Sequence, residues 1–448
     1  VSDSTSLCPK EAIALLKERL PKGGLFSGKE NMLSPCPFPL SKWELKRIDR
    51  LGRTLARFVK SCSTAYQQSR EERLPSSIHG LLDAGKPEWL TELAASPGQK
   101  NALPRVIRPD LLLTEKGFAI TELDNVPGGI GLVGFLTRLY AELGHEGFPG
   151  GPDGMVEGFR SLLPEGGDIV ISEESGDYVP EMEWLAAQLG DEWSVREAED
   201  YVPSDRAIYR FFELFDHENV PFLKEHAELF ASGELSLTPP PRPCLEEKLW
   251  LALFWQGPLR RWWERALRKS GDRILRDTIP YGWVVDPTPI PAHAALPRLE
   301  VNSWGEVAAF SQKDRELVLK ISGYSELAWG SKSVKVGHDL PGTEWSDSIG
   351  NALGDFETHP WVMQEFRNAR LVEHPYWNPE TESLETMVGR VRLCPYYFVD
   401  WEGERDWEVQ IGGVLATIVP AEKKLIHGMR DAILVPCVAA PEAPCGKA

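Results

Sequence analysis

From residue 105 onward, short apolar runs separated by turns alternate with helical stretches, and this alternation restricts the chain more than any other feature. Val106-Ile107, residues 111–113 and residues 118–123 read as strands. A helix over 132–143 follows, then a Gly/Pro-rich loop over 147–154, a strand over 168–172 and a helix over 181–189. Strand and helix in turn predict an α/β (α+β) fold. The first hundred residues differ. There Trp43, Leu45, Ile48, Leu51, Leu55, Phe58 and Val59 recur at steps of three and four, the stripe of one long amphipathic helix. A second, short helix is expected from Pro87 and a turn at Ser96-Pro97-Gly98.

Prolines 239, 240, 241 and 243 crowd residues 235–244, where neither a helix nor a central strand can continue, so this stretch reads as a linker. Beyond it comes a Trp-rich helical stretch from 245, broken at Gly257-Pro258. Ser303 and Glu306 form a capping box that opens a further helix. Strands are expected at 317–321, 361–366, 387–398 and 409–419. The expected blocks are therefore a helical N-terminal region over 1–98, a substrate- and metal-binding α/β part over 99–234, a nucleotide-binding part over 235–437 and a mobile tail over 438–448.

Composition narrows the partners. A formal net charge of −18 over 448 residues disfavours nucleic acid. No apolar run approaches the roughly 20 residues a membrane span needs. The seven cysteines include no CxxC and are odd in number, which argues against a disulfide framework or a zinc ribbon. With no signal-peptide pattern at the start, a reducing cytoplasm is the expected compartment.

Arg108-Pro109-Asp110 and Glu122-Leu123-Asp124-Asn125 stand on successive expected strands. Antiparallel pairing through the turn at Glu115-Lys116-Gly117 brings Asp110 beside Glu122. Converging oxygens at one end of a sheet suit a hard cation such as Mg²⁺, and Arg108 adds a fork for carboxylate or phosphate; a solvated turn with incidental charges is the competing explanation. Gly129-Ile130-Gly131-Leu132-Val133-Gly134 matches GxGxxG, the dinucleotide fingerprint. The second strand and acidic residue that the fingerprint requires about 20 positions on are replaced by the 147–154 loop.

In the C-terminal half, Lys320 interrupts an apolar strand just before Ser322-Gly323, and the segment after it carries Ser325, Gly330, Ser331, Lys332 and Ser333. A strand-borne lysine calls for an anion, and small residues let backbone N–H groups fold over phosphates. Lys248, read locally, is a surface lysine. Gln364, Glu365 and Phe366 close an apolar strand that can offer backbone groups to an adenine edge or be plain core.

Taken together and in this order, these segments resemble the synthetase domain of glutathionylspermidine synthase, a circularly permuted ATP-grasp ligase, over roughly residues 100–437. Arg108, Asp110 and Glu122 match that family's Arg-x-Asp and Glu-x-Asn motifs, with the third ligand position falling on Asp124 and Asn125 directly after it. Lys248 matches a lysine that reaches ATP, Lys320 to Gly330 the strand lysine with its phosphate-covering loop, and 361–366 the adenine-side strand. Gly412-Gly413 resembles a late glycine pair, but Thr417 stands in this region where the family has an arginine, leaving Arg390 or Arg392 as substitutes.

The resemblance implies an ATP-grasp fold and amide formation between a small carboxylate and an amine of the amino acid, peptide or polyamine class. The carboxylate attacks the γ-phosphorus of ATP to give an acyl phosphate, and ADP and phosphate leave. It implies ATP and Mg²⁺ as cofactors, with the metal on Asp110, Glu122 and Asp124 or Asn125. Nucleotide contacts fall to Lys248, Lys320, Ser322, Gly323, Gly330, Ser331, Gln364, Glu365 and Phe366. Catalytic charge falls to Arg108, Lys320 and Arg390 or Arg392. A degenerate ATP-grasp binder without turnover and a Rossmann-type NAD(P) oxidoreductase are the rival expectations.

Overall fold

The hairpin expected from 106–123 forms. Strands Val106–Thr114 and Gly117–Asp124 pair antiparallel, with Thr114 opposite Gly117 and Asp110 opposite Glu122. Alternating side chains along each strand explain the pairing, because the apolar set must face one way and a slip of one residue would turn it to solvent. The computed structural model of the protein describes residues 8–27, 32–328, 330, 332–402, 407–426 and 431–441.

Packing divides the chain into two units that interleave in sequence. One contains Val1–Ala56, Ala102–Pro240 and Asn368–Ala448; the other contains Arg57–Asn101 and Pro241–Arg367. The contiguous blocks expected to end at 98, 234 and 437 differ from these units. The physical reason is strand pairing: Ser383–Asp400 lies between Val106–Thr114 and Glu408–Pro420, which draws the late strands to the early hairpin. One crossing falls between Pro240 and Pro241, inside the proline-rich stretch.

The first unit holds two sheets. In the seven-stranded sheet the order is Phe38–Leu40, Ile433–Ala439, Glu408–Pro420, Ser383–Asp400, Val106–Thr114 and Gly117–Asp124, with Leu371–Asn378 pairing the early part of Ser383–Asp400. The four-stranded sheet is parallel, in the order Trp193–Glu197, Gly167–Ile171, Ile208–Phe211 and Leu237–Thr238. Helices Ile130–Glu142 and Val179–Leu189 pack on each other in this unit. The start of the expected tail is corrected, since Val438 and Ala439 end the strand Ile433–Ala439; residues 442–448 lie outside the described residues.

In the second unit the sheet is antiparallel, in the order Lys335–Val336, Leu317–Ile321, Trp361–Glu365 and Gly282–Val284. Leu317, Leu319, Ile321, Trp361 and Met363 turn one face of it into an apolar core with Trp345 and Ile349 of the helix Gly342–Gly354. The Trp-rich stretch forms helix Leu249–Leu253 and, after Gly257-Pro258, helix Arg260–Thr278, with Trp263 stacked on Phe58 at 5.3 Å between ring centroids.

The long amphipathic helix is Lys42–Arg70, and the unit division falls within it. Its stripe buries Ile48, Leu51, Leu55, Phe58 and Val59, but Trp43 is 51% exposed, stacked on Phe118 with the Arg47 guanidinium 4.7 Å above it. Pro87 precedes the helix Glu88–Ala95, and the Ser303 side chain caps Trp304–Ala308. Among the described residues no helix is long and apolar enough to cross a membrane.

Trp345 is fully buried and its indole donates to the Val307 carbonyl at 2.9 Å. Truncation there leaves a cavity and removes a buried hydrogen bond, although the Val307 carbonyl keeps the Phe310 N–H at 3.2 Å. Trp345→Ala is expected to lower stability by about 3–5 kcal/mol, read by urea unfolding; a loss below about 1 kcal/mol would contradict this packing.

Candidate functional site

Three neighbouring strands of the first unit bring charged side chains to one region. Arg108 lies opposite Asp124, and Asp110 opposite Glu122. The Arg108 guanidinium donates to Asp110 Oδ1 at 3.1 Å, pairs with Asp124 Oδ2 at 2.9 Å and donates to the Gly128 carbonyl at 3.0 Å. From the strand Ser383–Asp400, Arg392 donates to Asp110 Oδ2 at 2.8 Å, and the Cys394 thiol stands 3.5 Å from Asp110 Oδ1. Tyr396 donates to the Gly128 carbonyl at 2.7 Å. Burial pushes the Asp124 carboxyl upward while Arg108 pulls it back; the Asp110 and Asp124 charges hold Arg108 firmly protonated against its own burial.

The donor types of this cluster suit a hard divalent cation, but the arrangement does not fit one. Both Asp110 oxygens and one Asp124 oxygen are taken by guanidinium groups, and the other Asp124 oxygen accepts from the Val126 N–H at 2.8 Å. Among the described residues no group of three or more His, Cys, Asp or Glu could hold a metal. As arranged, Asp110 and Asp124 belong to an arginine-neutralised cluster, with Glu122 opposite Asp110 on the paired strand and Asn125 buried, so the two aspartates expected to hold Mg²⁺ have their oxygens engaged within the chain.

Of the two arginines left open by the sequence, Arg392 joins this cluster and sits directly opposite Thr417. Arg390 is engaged elsewhere: it donates to the carbonyls of Ala421 at 2.8 Å and Ala369 at 2.6 Å.

The glycine run at 129–134 does open a helix, with Gly129 at φ 89° as its N-cap. That terminus is filled from within the chain. Glu181, fully buried, accepts from the Gly129 N–H at 2.7 Å and the Leu132 N–H at 2.9 Å, where a dinucleotide would need to place its pyrophosphate. At Gly131 an added Cβ would lie 2.1 Å from the Glu181 carbonyl. These glycines therefore serve close helix packing. Glu181 was not singled out in the sequence; the signal was a glutamate on the apolar side of the stretch from Val179 to Leu189.

In the second unit, Lys320 stands opposite Val362, and Gln364 opposite Val318. Since opposite residues share a face, Lys320 and Gln364 project from the side of the sheet away from the apolar core. Lys320 is 5% and Gln364 3% exposed, and the Gln364 Nε2 has no hydrogen-bond partner among the described residues. Helix Leu249–Leu253 packs against strands Gly282–Val284 and Trp361–Glu365.

Lys248 is tied to the lysine strand. Its N–H donates to the Ser322 carbonyl at 3.0 Å, the Leu249 N–H donates to Ser322 Oγ at 2.8 Å, and Lys248 Nζ donates to the Ala328 carbonyl at 3.1 Å. Ser322 Oγ in turn donates to Glu247, whose other oxygen pairs with Lys86 at 2.6 Å; sequence reasoning singled out neither Glu247 nor Lys86. At Gly323 an added Cβ would be 3.0 Å from the Glu247 carboxylate. Gly330 takes φ 61°, and Ser331 lies outside the described residues.

Glu365 and Phe366 are less available than expected. Their N–H groups donate to the Tyr281 and Glu316 carbonyls at 2.8 and 2.9 Å. The Glu365 carboxylate pairs with Arg298 and Arg367, and Phe366 meets His338 edge-on.

Burial pushes the Glu181 carboxyl up from 4.5 to about 7, against backbone hydrogen bonds and Arg108 that favour its charge. The native protein then holds more protons than the unfolded chain between those values, so stability falls as pH rises through that window. Removing this group should flatten the pH dependence by an amount on the order of 3 kcal/mol in Glu181→Gln, checked by urea unfolding between pH 4.5 and 7. An unchanged slope would contradict the buried ionisation.

No protein-family model and no curated protein sequence matches the chain. Solved structures do. A glutathione synthetase-like effector from Globodera pallida, in its apo form, superposes with TM-score 0.56 at 10% identity, covering 96% of each chain. A putative gamma-glutamylcysteine synthetase from Methylobacillus flagellatus KT superposes with TM-score 0.39 at 11% identity, covering 83% of this chain and 88% of that one. The first likeness bears on fold alone, and the fold is the mixed α/β, ATP-grasp-like arrangement with a helical N-terminal region.

Proposed function

We propose that this chain is an ATP-dependent carboxylate–amine ligase of the glutathionylspermidine synthase-like kind, forming an amide through an acyl phosphate and releasing ADP and phosphate. The observation that carries the reading is the non-core face of the second unit's sheet. A buried ammonium, Lys320, and a buried amide donor with no acceptor, Gln364 Nε2, share that face. Phosphate oxygens stabilise the first and a heterocycle nitrogen satisfies the second. A nucleotide is the common ligand that offers both. The ATP-grasp-like fold supports this assignment.

Lys320 and Lys248 are assigned to the phosphates, and the segment from Ser322 through Gly330 to their cover, which keeps water from a hydrolysable acyl phosphate. Arg108 and Arg392 are assigned to the carboxylate substrate. Arg392 lies across from Thr417, so a guanidinium is available in that region of the sheet. Magnesium enters this reading as the ion that the nucleotide brings; no step is assigned to it. An NAD(P) oxidoreductase is disfavoured because Glu181 already holds the helix terminus that a pyrophosphate would need.

Lys320→Ala is expected to lower ATP affinity by roughly 10- to 100-fold by calorimetry, the loss of one charge-assisted contact. Unchanged affinity would sink the assignment. Hydroxylamine added in place of the amine should trap the intermediate as a hydroxamate, only when ATP and the carboxylate are both present. Release of AMP and pyrophosphate would refute the acyl-phosphate route, and ATP binding without any hydroxamate across a panel of amino acids and peptides would favour the non-catalytic binder.

A further inference from the structure

We propose that Lys86 and Glu247 are positioning residues for the lysine site, a buried ion pair that fixes Lys248 and the end of the Lys320 strand through the Ser322 hydroxyl. The inference rests on the nucleotide reading of that site and adds a function for the helical N-terminal region, to which Lys86 belongs.

The pair is almost wholly buried, with side-chain exposures of 1% for Lys86 and 2% for Glu247. Its contact is short, 2.6 Å from Lys86 Nζ to Glu247 Oε1. An ion pair that only joined two surfaces would end there. Here the second carboxylate oxygen accepts from Ser322 Oγ, and that hydroxyl oxygen accepts from the Leu249 N–H at 2.8 Å. Ser322 stands two residues beyond Lys320. Its carbonyl takes the Lys248 N–H at 3.0 Å, and its own N–H donates to the Pro360 carbonyl at 3.0 Å, beside the strand that carries Gln364. One carboxylate thus governs the backbone on which Lys248, Lys320 and Gln364 are mounted.

Two glycines fit this reading. At Gly323 a Cβ would stand 3.0 Å from the Glu247 carboxylate and from the Glu246 carbonyl, so a side chain there would press on the carboxylate. Gly85, at φ 69°, brings the backbone before Lys86 so close to Thr358 that a Cβ would lie 2.0 Å from its carbonyl oxygen. Lys86 Nζ also lies 5.2 Å from the Tyr324 ring centroid, within the segment assigned to cover the phosphates.

Removing one partner strands the other charge, so single substitutions confound folding with function. Replacing both partners by apolar residues of similar length avoids this. The experiment compares wild type with Lys86→Met/Glu247→Met and with Ser322→Ala, which leaves the ion pair and breaks only the hydroxyl link. ATP affinity is measured by calorimetry, Tm by calorimetric unfolding, and backbone order at Lys248 and Leu249 by hydrogen exchange.

The expected result is a double variant with Tm near wild type, ATP affinity lowered by roughly tenfold, and faster exchange at both amides. Ser322→Ala should show the same loss of affinity and faster exchange at Leu249. A folded double variant that binds ATP and exchanges as wild type does overturns the proposal, and so does Ser322→Ala with unchanged affinity and exchange if the double variant fails to fold. Wild-type protein that binds no ATP overturns the nucleotide reading instead, separately from the exchange result at Leu249.

Discussion

A charge taken out of water must be answered by another charge or by backbone dipoles, and both units of this chain are organised around that constraint. In the first, Asp110 is gripped by Arg108 and Arg392, and Glu181 by two backbone N–H groups. In the second, Lys86 answers Glu247, and Glu247 in turn holds Ser322. These arrangements decide which side chains stay available for chemistry. The clamped Asp110 is less available to a metal than its sequence context suggests. Lys320 and Gln364 share one face of the second unit's sheet, an alignment that neither residue suggests alone.

Local pattern made much of the fold legible. The hairpin register follows from alternation and the turn at 115–117, so the juxtaposition of Asp110 and Glu122 is written in the local sequence. The lysine strand, Leu317–Ile321, was equally plain, because a lone lysine among four aliphatic residues has few other homes. Short strands such as Trp193–Glu197 and Ile208–Phe211 were missed. They carry little periodicity of their own and exist because Gly167–Ile171 lies between them as a template.

The candidate site was legible by residue type and less so by partner. Arg392 reaches Asp110 across 282 positions, and Lys86 reaches Glu247 across 161. No local window contains such pairs, so the charge balance of Asp110 could not be drawn from its own strand. The glycine motif at 129–134 shows the opposite failure. Its spacing matched a phosphate-binding loop, whereas the glycines answer steric demands from Tyr396, Glu181 and Trp184. The same small residues serve close packing of protein on protein and of protein on ligand, and only the neighbour tells the two apart.

The central claim is that the second unit's sheet, and not the glycine-rich helix terminus, receives a nucleotide. Hydrogen exchange of the full chain with and without ATP tests it most directly, because protection reports where the ligand orders the backbone. The account predicts slowed exchange over residues 317–323 and 361–366, together with Lys248 and Leu249. Protection confined to residues 126–134, with none at the lysine strand, would contradict it.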